Sequence, residues 1–257
     1  MAEINFEIHN GIAFITLNRP EKLNAFNRSM ALLLHEKLNV CMDASVRCVY
    51  ITGAGKGFCA GQDLEEVMDP NGTGMDRILK EQFNPIITRL QELQKPVVAA
   101  VNGVAAGAGA NIALACDIVV AHEQASFIQA FSKIGLIPDS GGTFFLPRLI
   151  GCQKAMALML LGDKVTAADA CNMGMIYKTF AADVFETASK QLALTLATMP
   201  TRALAYIKQA VHLSAVQTLE QQLALEDQLQ QKAAATNDFK EGVAAFMQKR
   251  VPNFKGN

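Results

Sequence analysis

Several things are scarce in this chain, and each scarcity removes a class of function. No run of about 18 uninterrupted apolar residues occurs, so no transmembrane helix is expected. The opening M-A-E-I-N-F has no basic segment followed by an apolar run, so no signal peptide is expected. Basic and acidic side chains nearly cancel, 23 Lys and Arg against 24 Asp and Glu. No global positive field exists to recruit nucleic acid. Charged residues of all kinds make up only 18%, low for a monomer that must hydrate its whole surface, which hints at oligomerisation. There are 6 cysteines, none in a C-x-x-C pair and none beside a histidine cluster. Neither a metal site nor a disulfide framework is expected, and the reading is a reduced, cytoplasmic protein. Tryptophan is absent altogether.

What is present suits an α/β domain. The 257 residues are 51% hydrophobic, enough for one large domain or a domain with an appended arm. Ile4–Ile8 and Ile12–Leu17 alternate around Asn10-Gly11, the strongest short hairpin signal, because both central residues accept positive φ. Helical spacing predicts a helix over Ser29–Met42 and another over Met75–Leu93. Strands are expected at Val46–Thr52, Val97–Val101, Asp117–Ala121 and Gly174–Thr179, with short helices at Gly109–Cys116 and Lys154–Leu161. Between Glu65 and Met75, Asp69-Pro70-Asn71-Gly72 predicts a mobile loop. Thr166-Ala-Ala-Asp169 has the spacing of a helix cap. After Asp183 strand signals stop. Ala-, Leu- and Gln-rich helical patterns fill Val184–Met199, Thr201–Ala215 and Thr218–Ala235, and a last helix runs from Asp238 to about Lys249. Residues 1–183 thus form an alternating core and 184–257 a helical region.

Two turns carry the chemistry. Gly53–Leu64 reads G-A-G-K-G-F-C-A-G-Q-D-L after a strand. It is no phosphate-binding loop, because Phe58-Cys59 stands where Gly-Lys is required. It is either a turn into a helix or a segment that aims the Gln62 N–H into a pocket. The second turn, Ala105-Ala-Gly-Ala-Gly109, follows the Val97–Val101 strand and opens a helix near Ala108. It permits either close packing or the approach of an anion to bare backbone N–H groups. Asp139 follows in I-P-D-S-G-G-T, as a helix N-cap or as a carboxylate on a fixed turn. Ser140 is not a nucleophile of the G-x-S-x-G type, since Pro138 occupies the first glycine position. Cys59 is either a small buried residue or a thiolate helped by Lys56. Lys249-Arg250 with Lys255 is a solvated basic cluster or a phosphate contact. The 4 histidines have no neighbouring triad signal.

Four motifs, N-R-P-E-K-L-N-A (Asn18–Ala25), the Gly53–Leu64 run, K-P-V-V-A-A-V-N-G-V-A-A-G-A-G (Lys95–Gly109) and I-G-L-I-P-D-S-G-G-T (Ile134–Thr143), occur in order. In this the chain resembles the enoyl-CoA hydratase/isomerase (crotonase) superfamily over essentially its whole length. The resemblance implies a spiral of ββα units, a C-terminal helical region used for trimerisation, and a homotrimer or dimer of trimers. It also implies an acyl-CoA thioester whose oxygen sits between the N–H groups of Gln62 and Ala108. The CoA would be gripped by Lys22, Leu23, Ala60, Gly61, Asp63, Leu64 and the C-terminal Lys249. Coenzyme A is then part of the substrate, and no separate cofactor, metal, nucleic acid or membrane is implied.

The resemblance does not choose the reaction. The two hydratase glutamates align with Asn111 and Phe131, neither of which transfers a proton from water. Asp139 aligns with the carboxylate of some isomerases of the superfamily, where it shuttles a proton, and of a dehalogenase branch, where it is a nucleophile. The pattern looks most like the 1,2-epoxyphenylacetyl-CoA isomerases of phenylacetate breakdown. The expectation is an acyl-CoA isomerase with Asp139 as base, its pKa raised by an apolar wall of Phe131, Ile134 and Leu136. An aryl-CoA dehalogenase, a hydratase, and a non-catalytic acyl-CoA- or RNA-binding protein are the alternatives. The missing tryptophan and the near-neutral charge weigh against the dehalogenase and RNA readings respectively.

Overall fold

A computed structural model of the chain describes residues 2–69 and 72–257. Asn10 and Gly11 both take positive φ, 52° and 74°, and close the hairpin of β1 (Ile4–His9) and β2 (Ile12–Leu17). From there β3 (Cys48–Gly53), β5 (Val97–Val101), β7 (Ile118–His122) and β10 (Lys178–Phe180) add in parallel, in the order β1-β2-β3-β5-β7-β10. All five residues of β5 are buried, as a strand covered on both faces requires.

A second sheet runs alongside. Its strands are β4 (Gly57–Cys59), β6 (Val104–Ala106), β8 (Ser126–Ile128) and β9 (Lys164–Thr166). Each long strand β3, β5 and β7 is followed within a few residues by a short strand of this second sheet. That is the ββα unit of the spiral. The sequence pattern does not show these three-residue strands, and the units recur without a fixed period. The reason is visible: the first unit carries a long helical insertion and the second does not.

Helix α1 (Arg28–Val40) starts where the Asn27 side chain accepts the Met30 N–H, and it buries Met30, Ala31, Leu34 and Leu38. The insertion after β4 comprises α2 (Leu64–Val67), α3 (Met75–Ile78), a π turn over Leu79–Phe83 and α4 (Asn84–Glu92). The expected Met75–Leu93 helix is therefore interrupted by one π turn. Phe83 in that turn meets Phe26 edge-on at 5.8 Å. Of the expected loop before it, α2 occupies the start, and Pro70 and Asn71 lie outside the described residues.

The third layer comprises α5 (Ala108–Leu114), α6 (Gly142–Ile150), α7 (Cys152–Leu161) and α8 (Ala167–Asn172), the last capped by Thr166. Beyond β10 the described residues contain four helices and no strand: α9 (Phe185–Thr198), α10 (Thr201–Ser214), α11 (Leu219–Ala234) and α12 (Asn237–Met247). Helix α9 lays Phe185, Ala193, Leu196 and Ala197 on the face of the first sheet made by Ile12, Tyr50, Val98, Ala100 and Val120. The opposite face, with Ile15, Ile51, Ala99 and Val101, packs on α1 and α4 in the main core.

Candidate active site

The loop Arg19–Ala25 is built around Asn24. Its Nδ2 donates to the carbonyls of Ala54, Gly57 and Phe58 at 2.8 to 3.2 Å, and its Oδ1 accepts the Arg19 N–H. This holds Leu23 and Asn24 in the left-handed region, φ 48° and 58°. The Leu23 carbonyl then accepts the Ala60 N–H at 2.9 Å, so Lys22 and Leu23 lie along Ala60–Leu64. Lys22 pairs with Glu65 at 2.7 Å, and Leu23 and Leu64 are exposed. The Asp63 carboxylate caps α2 and pairs with Arg19 at 2.9 Å, so it organises the loop from beneath. Six of the seven residues expected to grip CoA are thus brought together. Lys249, exposed beyond the end of α12, has no hydrogen bond to this group among the described residues.

Gln62 bridges Phe26 in parallel: the Phe26 N–H donates to Gly61 O and the Phe26 carbonyl accepts the Asp63 N–H. In that geometry the Gln62 N–H points away from Phe26. Gly61, at φ 97°, brings this segment against the second turn, where a Cβ at Gly61 would stand 3.3 Å from the Ala108 nitrogen. Gly107 adopts φ 52° and ψ −129°, a conformation reserved for glycine, and anchors its own N–H on Ile128 O. The chain thereby enters α5 with Ala108 as its first residue. Among the described residues the Ala108 and Gln62 N–H groups meet no backbone acceptor. Both sequence-predicted donors therefore lie at adjoining backbone segments.

Asp139 does not cap α6. The cap position is Gly141, and no side chain bonds to the helix start. Its carboxylate accepts the Ser140 hydroxyl at 2.9 Å. Burial raises its pKa above the ordinary carboxylate value, against the opposing pull of Ser140 and its own N–H. The Asp139 carbonyl accepts the Gly142 N–H and the Asn111 side-chain amide, both at 2.8 Å. Asn111 in turn accepts from Gln129 at 2.8 Å. Asn111 stands in the first turn of α5, so Asp139 and Ala108 are tied to one helix.

One expectation changes here, that of the apolar wall. Phe131 is buried, with its ring edge 3.7 Å from where a Gly107 Cβ would stand, but Ile134 and Leu136 are exposed at 52% and 39%. The described contacts at the Asp139 turn come instead from Phe145 and Ile87, both close to Gly141. Cys59 is no activated thiolate: it is fully buried beneath Gly109, and burial pushes its thiol up to about 12. His212 does have a carboxylate neighbour, lying 3.7 Å from Asp117, whose other oxygen takes Lys208 at 2.9 Å. That cluster fastens α10 to the sheet. Sequence reasoning also missed Arg19 and Asn24, although their motif was in view, and Gln129, which carries no signal. No group of three or more His, Cys, Asp or Glu side chains that could hold a metal occurs among the described residues.

The enoyl-CoA hydratase/isomerase family model matches residues 7–257. The chain belongs to the enoyl-CoA hydratase/isomerase family. The 1,2-epoxyphenylacetyl-CoA isomerase of Escherichia coli K12 is 48% identical over 253 residues, covering 97% of each protein. A protein of Rhodobacter capsulatus named as a probable enoyl-CoA hydratase is 43% identical and covers 98% of each. The crystal structure of an enoyl-CoA hydratase from Bacillus anthracis superposes with a TM-score of 0.93 at 31% identity, covering 100% of both chains. Members of this family thus include both isomerases and hydratases, and the chain is an acyl-CoA enzyme of the crotonase fold.

Proposed function

We propose that the protein is an acyl-CoA isomerase in which Asp139 moves a proton. The observation that carries this reading is a single half-buried carboxylate, Asp139, whose backbone carbonyl is held by the side-chain amide of Asn111, at the first of the aligned hydratase acid positions. Phe131 at the second position has no proton to give. Asp139 takes the C2 proton of a 3-enoyl-CoA, and the C3=C4 electron pair delocalises with the thioester into a dienolate. Its oxygen is held by the N–H groups of Gln62 and Ala108, each such donor contributing about 3–4 kcal/mol to lowering the barrier. The same carboxyl returns the proton at C4, leaving a C2=C3 double bond. Base catalysis of this kind contributes roughly 100- to 10,000-fold.

A ring-1,2-epoxyphenylacetyl-CoA is a second substrate, isomerised to an oxepin-CoA without net gain or loss of atoms. The 48% identity to the E. coli isomerase supports it. The reading extends to a CoA grip by Lys22, Leu23, Ala60, Gly61, Leu64 and Lys249, with Asp63 holding the loop. It also extends to a trimer or dimer of trimers in the cytoplasm, and to a reaction that needs no added cofactor.

The test is Asp139→Asn assayed for conversion of a 3-enoyl-CoA to the 2-enoyl-CoA and, in parallel, for hydration of a 2-enoyl-CoA. Isomerisation should fall by about 100-fold or more, and hydration should be slow in both proteins. Retention of isomerisation would remove Asp139 from the mechanism. Fast hydration by the wild type would favour the hydratase reading, and a covalent acyl-enzyme detected by mass spectrometry the dehalogenase one.

A further inference from the structure

We propose that Asn111 and Gln129 are positioning residues: two side-chain amides that lock the turn carrying Asp139 to the helix presenting the Ala108 N–H. This rests on the reading of Asp139 as the base and assigns its support.

The polarity of the chain is determined at one end. A backbone carbonyl only accepts, so Asn111 must turn its NH2 toward Asp139 O, at 2.8 Å. Its Oδ1 then faces Gln129, which must present its own NH2, also at 2.8 Å. Only one arrangement of the two amides satisfies both bonds. Both residues are buried, 0% and 2% exposed, so water does not compete for these bonds.

The turn needs such a hold. Ser140 sits at φ 49°, a conformation that a residue with a side chain adopts only when its surroundings impose it. The turn also rests directly on the amide: a Cβ at Gly142 would come within 2.3 Å of Asn111 Nδ2. Both anchors lead back to the turn that presents Ala108. The Asn111 N–H donates to Gly107 O, and Gln129 follows Ile128, whose carbonyl accepts the Gly107 N–H. Base and oxyanion donor are therefore registered to each other through Gly107, Asn111 and Gln129. The residue that cannot act as an acid instead sets where the remaining carboxylate stands.

The decisive variant is Asn111→Asp in the full chain. It keeps the shape and the acceptor for Gln129, but its ionised carboxylate would face Asp139 O and repel it. Only the protonated form restores the donor. With a six-carbon 3-enoyl-CoA at mildly alkaline pH, kcat should fall about 100-fold, the scale of a misplacement of about 1 Å. KM should stay within about two-fold, since the CoA grip is untouched. The ratio of variant to wild-type kcat should then rise as pH is lowered. Asp139 itself is the titrating neighbour; a carboxylate at 111 raises its pKa and by itself would make the ratio fall on acidification, so a rise reports the restored donor. No other charged side chain bonds to Asn111, Gln129 or Asp139 among the described residues.

A wild-type kcat at every pH, or a loss equal at every pH, overturns the proposal. Should Asn111→Asp not fold, Gln129→Leu decides: a loss of about ten-fold or more in kcat at unchanged KM supports the clamp, and wild-type kcat overturns it. Asp139→Asn is run alongside. Activity in that variant refutes the base assignment, whereas an inactive Asp139→Asn beside a normal Asn111→Asp refutes the clamp alone.

Discussion

Asp139 is held in a conflict that has measurable consequences. Burial disfavours its charge, while Ser140 and its own N–H favour it, and burial dominates. In the proposed mechanism the base form is the active one, so kcat/KM should fall with acidification through a pKa above the ordinary carboxylate range. The sign for stability is opposite. The folded protein binds this proton more tightly than the unfolded chain, so the ionised side chain costs stability at neutral pH. That cost vanishes below the ordinary carboxylate pKa and grows as pH rises through the folded one. Asp139→Asn should therefore melt above the wild type near neutral pH, with the gap closing toward about pH 4, the ordinary carboxylate range. Melting curves at the two pH values check it, and a lower melting point for the variant at neutral pH would contradict it. At this scale the turns that carry Asp139, Gln62 and Ala108 were legible because their glycines mark them. Gln129 was not, since a lone Gln between apolar residues acquires its role only when β8 lies beside β6.

Among elements, the contact of α5 with β4 is a tight constraint near the site. A Cβ at Gly109 would lie 2.5 Å from Cys59 O and 2.6 Å from its Sγ. Gly109→Ala must therefore push α5 off β4, at a cost of about 1–3 kcal/mol for overpacking. The same shift displaces Ala108, so kcat should drop together with the urea midpoint. Unchanged values of both would show that α5 has slack. The hairpin, α1, β5 and the C-terminal helices were readable from period and turn residues. The second sheet was not, because three residues are too few to show alternation. The π turn left no trace either, since one inserted residue shifts a helical stripe without breaking it.

For the whole molecule the C-terminal helices leave an apolar surface unburied. Phe246, Met247 and Val251 are 86%, 78% and 87% exposed, and Ile207, Val211 and Leu223 add to them. We propose that this surface is where copies of the chain associate. Sedimentation should give a trimer or a multiple of three, and Phe246→Asp should shift the population to smaller species while leaving the site residues in place. A wild-type monomer would overturn the proposed assembly. No described helix is long and apolar enough to cross a membrane, so this surface is not explained by a span.

The sequence by itself determined the family, the two glycine-bearing turns and the residue types at 111, 131 and 139, because each is a matter of residue type in a local motif. Tertiary structure decided what Asn111 touches. Its partners lie 18 and 28 residues away, on a strand end and on a turn that no local pattern connects. Only the parallel stacking of β6 and β8 and the entry of α5 bring two amides and one carbonyl into line. Hydrogen bonds of that kind depend on positions within a few tenths of an ångström, which the packing of the whole chain sets.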